Sequence, residues 1–199
     1  QEEILKAKNV TVSGDGAVDI HGAVNGTNAV TLEGNALTVD GNITGATVTM
    51  DGNAVTANGT VTASDGKVIV GTDSAKAGKV IVAGAVSGTK GVEVYSNNAV
   101  TFNSTVSTQA AGSDNDIIIK GTDIIAVGNM TSGRGDITVT GTGNGNFAGL
   151  NAYNVIDIST TNTKTLTING VVVAGGNALD AAGNSVKMSA KDITFANTV

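Results

Sequence analysis

Ala29-Val30-Thr31-Leu32-Glu33-Gly34-Asn35-Ala36-Leu37-Thr38-Val39-Asp40-Gly41-Asn42-Ile43 is the stretch that decides how this chain folds. Apolar and small polar residues alternate along it with period two, and the chain then turns at glycine and asparagine. That is the pattern of strand, corner, strand. Ala54-Val55-Thr56-Ala57 and Thr60-Val61-Thr62-Ala63 repeat it a little further on.

Working outward, strands of the same look recur along the whole sequence. They are Asn9-Val10-Thr11-Val12, Ala29-Val30-Thr31-Leu32, Thr47-Val48-Thr49-Met50, Lys67-Val68-Ile69-Val70, Gly91-Val92-Glu93-Val94, Asp116-Ile117-Ile118-Ile119, Asp136-Ile137-Thr138-Val139, Val155-Ile156-Asp157-Ile158 and Ser185-Val186-Lys187-Met188. Counted at their second residues, the steps are 20, 18, 20, 24, 25, 20, 19 and 30. A period near 20 with loop insertions is the mark of a solenoid, in which no repeat buries its own apolar face and each needs a neighbour. Twenty residues accommodate three short strands and three bends. The chain is therefore expected to be all-β, a parallel β-helix (β-solenoid) of about 20 residues per coil and roughly nine to ten coils, forming a single domain over residues 1–199 and a rod on the order of 45 Å long.

A second motif, Asn-Ala-Val/Leu, occurs at Asn28, Asn35, Asn53, Asn98 and Asn177. Asn35 and Asn53 are one coil apart, and Asn98 fits two coils further, so these asparagines are expected to stack at one corner. Asparagine tolerates a left-handed corner backbone, and stacked amides can hydrogen-bond along the axis. Asn28 and Asn35 are too close to share that corner.

Composition narrows the function. The 199 residues include 28 glycines, two Tyr, three Phe and no Trp, Pro or Cys. The interior must then be filled by Val, Ile, Leu, Ala and Thr and is expected to be narrow. Proline would remove a donor from every stack it entered, so its absence fits this geometry. A net charge of −6 and a single arginine, Arg134, leave no basic surface for nucleic acid. The apolar runs are far shorter than the roughly 20 residues of a membrane helix, so no membrane-spanning segment is expected. The chain begins at Gln1 without a charged, apolar leader, and is expected to be a piece of a longer protein.

The repeats at residues 29–43 resemble the haemagglutinin-type repeats of filamentous haemagglutinins, and the resemblance covers nearly the whole chain. It implies a right-handed β-helix exported by two-partner secretion, similar to autotransporter passengers, located outside the bacterium or on its surface. It implies a structural or adhesive role, as a rigid stalk or adhesion surface rather than an enzyme, with no cofactor. The partners to expect are a host-cell or matrix receptor, a glycan, or a second copy of the chain in a surface-layer or fibre assembly. A polysaccharide-active β-helix enzyme is a further alternative.

Each of these chemistries points to particular residues. Arg134-Gly135-Asp136 spells the tripeptide that integrins read, at a bend before Ile137, and is the candidate receptor-binding site. Glycan cleavage would need paired carboxylates within about 5–10 Å, yet Asp15, Asp19, Asp40, Asp51, Asp65, Asp73, Asp123, Asp157, Asp180 and Asp192 are scattered and mostly sit beside Gly or Asn, as corner residues do. His21 is the only histidine and reads as a solvated corner. Asp114-Asn115-Asp116 and Asp15-Gly16 offer oxygen ligands for calcium, but read more simply as turns. Thr-x-Thr triplets at residues 47, 60, 138 and 165 raise an ice-binding face whose register is broken. Gly141-Thr142-Gly143-Asn144-Gly145-Asn146 reads as a loop, with no helix after it to make a phosphate cradle. Asn-x-Thr sequons fall at Asn9, Asn25, Asn42, Asn58, Asn103 and Asn129. Gln1 to Lys8 is read either as a cap over the first rung or as an ordinary first strand, and Leu166 to Gly183 as a coil carrying an extra hairpin or bulge. Ile118 and Val139 are expected in the apolar core, with Ile117 and Ile137 as the alternatives if the opposite parity faces inward.

Overall fold

The computed structural model describes residues 4–109, 115–175 and 185–196. Among them every regular element is a strand, and every strand pair is parallel. The chain winds into a β-solenoid with nine levels of strands, about eight turns from first to last. Each level has three faces. The first coil comprises Ile4–Ala7 and Val10–Ile20, and the ninth comprises Val172–Ala174, Ser185–Ser189 and Asp192–Phe195. Face one is a sheet of its own. Faces two and three belong to one sheet, because Val10–Ile20 and Ala29–Val39 each run as an 11-residue strand around the corner between them.

The nine residues from which the repeat period was counted form a single column on face two. Val10, Val30, Val48, Val68, Val92, Ile117, Ile137, Ile156 and Val186 are register partners from each coil to the next. A column such as this arises because the side-chain period of a strand is two: once one rung points a residue inward, the rung above must do the same to stay dry. Burying each Val, Leu or Ile contributes about 1.5–3 kcal/mol.

Face three shows how a narrow interior is filled. Ala57, Val82, Phe102, Ala126, Phe147 and Ile168 succeed one another, so both buried phenylalanines have alanine on one side. Gly145 makes room for the Phe147 ring, since a Cβ there would lie 2.8 Å from Phe147 Cε2 and 3.0 Å from Leu166 Cδ1.

Ile117, Ile119, Ile137 and Val139 are buried, whereas Ile118 points outward between Glu93 and Thr138. The parity that places Ile118 in the core is therefore incorrect: all three isoleucines are apolar, and only stacking on Val92 and Val94 selects 117 and 119. Ile4–Ala7 is an ordinary first strand, paired with Ala23–Gly26; residues 1–3 lie outside the described residues. In the stretch from Leu166 to Gly183, the strands Thr165–Ile168 and Val172–Ala174 are regular rungs. The surplus length of that coil falls at 176–184, outside the described residues.

Candidate functional site

The corners carry most of the polar side chains, and along several of them the hydrogen bonds run parallel to the rod axis. Asn28 donates to Asn9 (2.8 Å), Asn53 to Asn35 (2.6 Å), Asn58 to Asp40 (2.8 Å) and Asn169 to Asn146 (2.6 Å). Asn35 and Asn53 thus stack at one corner and Asn28 at another. Register carries the Asn53 corner through Gly78 to Asn98, two coils on, as the spacing predicts. Asn177 lies outside the described residues.

Aspartates at the corners serve the backbone of the following coil. Asp116 Oδ1 accepts from the Asp136 N–H (2.8 Å), Asp136 Oδ1 from the Val155 N–H (3.1 Å), and Asp123 Oδ1 from the Asn144 N–H (2.6 Å). Each carboxylate satisfies a backbone donor that the turn would otherwise leave without a partner. Asp51 Oδ1 accepts from the Gly52 N–H within its own bend. These acids are therefore spread along the rod. Among the described residues, no three His, Cys, Asp or Glu side chains gather in a way that could hold a metal ion. Asp114 of the candidate calcium turn lies outside the described residues.

Arg134, Gly135 and Asp136 lie at the corner between Met130–Ser132 on face one and Ile137–Gly141 on face two. Arg134 is exposed, and its guanidinium lies over the Tyr153 ring of the next coil, 5.6 Å from the centroid. Gly135 is buried and donates its N–H to Ser132 Oγ (2.9 Å). A Cβ at Gly135 would fall 2.3 Å from Asp116 Oδ1 and 2.6 Å from the Asn115 carbonyl carbon, so only glycine fits. Asp136 is half-buried, with one oxygen held by Val155. The tripeptide is thus part of the rung's corner, held at both ends to its neighbours in the stack.

Beneath it lies a feature that sequence reasoning missed. The inward position at this corner, held by Gly88, Ala63 and Ala152 in other coils, is Thr108 and Ser132 here. Both hydroxyls donate to the Asn115 carbonyl, at 2.7 and 2.9 Å, and the Asn115 amide donates to the Gln109 carbonyl at 2.7 Å. The sequence signal was the long step of 25 between residues 92 and 117, which marks an insertion at this corner.

A second missed cluster accompanies the step of 24. Gly71 takes the left-handed φ of +62° and starts an excursion through Asp73 and Lys76 before Lys79–Val82 resumes the face-three stack. Asp73 pairs with Lys120 (3.0 Å), whose ammonium lies 5.4 Å from the Tyr95 ring centroid. Tyr95 donates to Glu93 (3.3 Å), and Glu93 pairs with Lys67. Burial, followed by the Glu93 charge, raises the Tyr95 pKa. This network fastens the excursion to face two across three coils.

At the remaining corner His21 Nδ1 lies 2.8 Å from Asp40 Oδ2. That hydrogen bond and the Asp40 charge raise the His21 pKa above 6.5, and the same bond together with the Asn58 amide lowers that of Asp40 below 3.8. The Thr-x-Thr triplets do not align. The outward column through Thr11, Thr31 and Thr49 continues as Ile69 and Glu93. Among the sequon asparagines, Asn9, Asn42, Asn58 and Asn129 have their amides engaged in bonds between coils. Among the described residues no helix is long and apolar enough to cross a membrane. No family model matches the chain, and neither a curated protein nor a solved structure is significantly similar to it.

Proposed function

We propose that this chain is a stretch of a secreted or cell-surface bacterial rod, similar to filamentous haemagglutinins, which holds an adhesive surface away from the cell and presents its corners to a partner. The observation that carries this reading is the unbroken inward column from Val10 to Val186, which commits the chain to a stiff rod with its charged side chains outside. Stiffness follows from the ladder itself, since each rung is hydrogen-bonded above and below. The regularity of the corners also favours binding over turnover, because Asp40, Asp51 and Asp123 are engaged with imidazole, amide or backbone groups.

Arg134, Gly135 and Asp136 are the proposed receptor contact, with the guanidinium as the exposed group. A host-cell or matrix receptor is the partner this corner suits; glycans are the other class. The test is attachment of the purified chain to immobilised cells, matrix proteins and polysaccharides, alongside an Arg134→Ala/Asp136→Asn double variant. Asparagine at 136 keeps the acceptor for Val155, so an unchanged circular dichroism melt is expected. Attachment to cells or matrix that falls at least about tenfold in the variant supports the site. Attachment that is unaffected moves the contact to other corners, and turnover of a polysaccharide by the unmodified chain would replace adhesion with glycan chemistry.

A further inference from the structure

We infer that Asn103 is the acceptor for an N-linked sugar, and that the sugar lies on the exposed apolar side chains of the next coil. The inference rests on the secreted or surface reading only for where the chain meets a glycosyltransferase. Six Asn-x-Thr sequons are present, and the sequence does not rank them. The fold does. The side chains of Asn9, Asn42, Asn58 and Asn129 are each bonded to a neighbouring coil. Asn25 is half-buried in the strand Ala23–Gly26, register-paired with Lys6 on one side and Thr44 on the other. An acceptor sequon belongs in an exposed loop, and a rung held on both sides is not one.

Asn103, Ser104 and Thr105 form the corner between Val100–Phe102 on face three and Val106–Thr108 on face one, and both Asn103 and Thr105 are exposed. The Asn103 backbone N–H donates to the Val82 carbonyl (2.9 Å), which fixes the corner. Its side-chain amide has no partner among the described residues. The reason lies in the column. Asn58 finds the Asp40 carboxylate one coil away, whereas the ladder sets Ala83 and Val127 on the two sides of Asn103, and neither side chain can form a hydrogen bond. Val127, one rung away at roughly 4.8 Å, is 63% exposed, and with Ile125 and Ala148 it lines a shallow cleft. A sugar ring can cover these side chains with its C–H face while its hydroxyls stay in water. The chemistry is a group transfer without oxidation or reduction. Asn103 Nδ2 forms a bond to the anomeric carbon of a sugar activated as a nucleotide or lipid diphosphate. The diphosphate leaves with the electron pair of the anomeric C–O bond, and the amide gives up one proton.

The test incubates the purified, unmodified chain with UDP-glucose and a soluble sequon-specific N-glycosyltransferase, and follows each sequon by peptide mass spectrometry. In the folded chain Asn103 should fill roughly tenfold or more faster than the other five asparagines, and a tryptic digest of the same chain should lose that preference. Ala83→Asp gives Asn103 the kind of acceptor that Asp40 gives Asn58. It should slow Asn103 roughly three- to tenfold in the folded chain and leave the peptide rate unchanged. Asn103→Gln should abolish the modification and keep the circular dichroism melt of the wild type. Preference for another sequon in the folded chain, absence of sugar from Asn103 there, or indifference to Ala83→Asp would overturn the proposal. In the glycosylated chain the Val127 methyl groups should show nuclear Overhauser contacts to the sugar, and their absence would overturn its placement. Every arm uses the purified chain, so a failure of the attachment test leaves this site standing, and a failure here leaves the adhesive reading standing.

Discussion

The sixth and seventh coils and the ninth are built from the same columns but live in different environments. Ile137 is fully buried between Ile117 and Ile156, while Val186, in the same column two coils on, is half-exposed. The two residues have the same parity and similar chemistry. What differs is that, among the described residues, Ile137 has a paired rung on both sides and Val186 on one. In a solenoid the core is therefore not a property of a coil but of its neighbours, and stability is a sum of contacts between adjacent repeats. The inner coils add a second lesson: neighbouring positions of one apolar triplet, Ile117 and Ile118, lie on opposite sides of the sheet wall.

The largest expected effect tests the first contrast. Ile137→Asp places an unpaired carboxylate in a dry column and should cost about 4 kcal/mol or more, unfolding the chain or its central coils. Val186→Asp should cost less than about 1 kcal/mol in the isolated monomer, because water reaches the side chain. Urea melts followed by circular dichroism measure both, and equal costs would break the comparison. Ile117→Asp against Ile118→Asp sharpens it within one strand, with the same ordering expected.

Next in size is the corner beneath the Arg-Gly-Asp tripeptide. Gly135→Ala drives a methyl group into Asp116 and the Asn115 backbone and should cost about 2 kcal/mol, whereas Gly16→Ala, with nothing within 4 Å of its Cβ, should be neutral to within about 0.5 kcal/mol. Smaller again is the amide ladder. Asn53→Ala should lose about 1 kcal/mol, since the same corner already tolerates Gly78 without interrupting the stack.

The smallest effect is the pH response at the His21 corner. Histidine with a raised pKa contributes stability that is full below its unfolded value of 6.5 and is lost as pH rises through the folded value. Aspartate with a lowered pKa contributes above its unfolded value of 3.8 and loses that contribution as pH falls through the folded one. The pair is thus fully formed between those two ordinary values. Histidine resonances followed by NMR should titrate above 6.5, and Asp40→Asn should bring the midpoint back towards it. A midpoint that does not move would detach the shift from Asp40.

Much of this molecule was legible from residue order alone. The repeat near 20 residues located the face-two column residue by residue, and it did so because a parallel β-solenoid turns a local pattern directly into a contact: the residue one coil away is the neighbour. The Asn35–Asn53 stack and the separation of Asn28 from it were readable for the same reason. The proposed receptor tripeptide was visible as a string, but its setting was not, since the hold of Val155 on Asp136 and of Tyr153 on Arg134 joins residues about 20 apart across a corner. The sequence by itself determined that the chain forms strands, at what period, and with which residues in register. Only the tertiary structure decided which side of Ile117-Ile118-Ile119 faces inward, because hydropathy cannot distinguish three isoleucines while the column above and below can. It also decided that the excursion at residues 71–78 and the group of Thr108, Asn115 and Ser132 build polar networks at corners, since those bonds link residues of different coils and have no period to betray them.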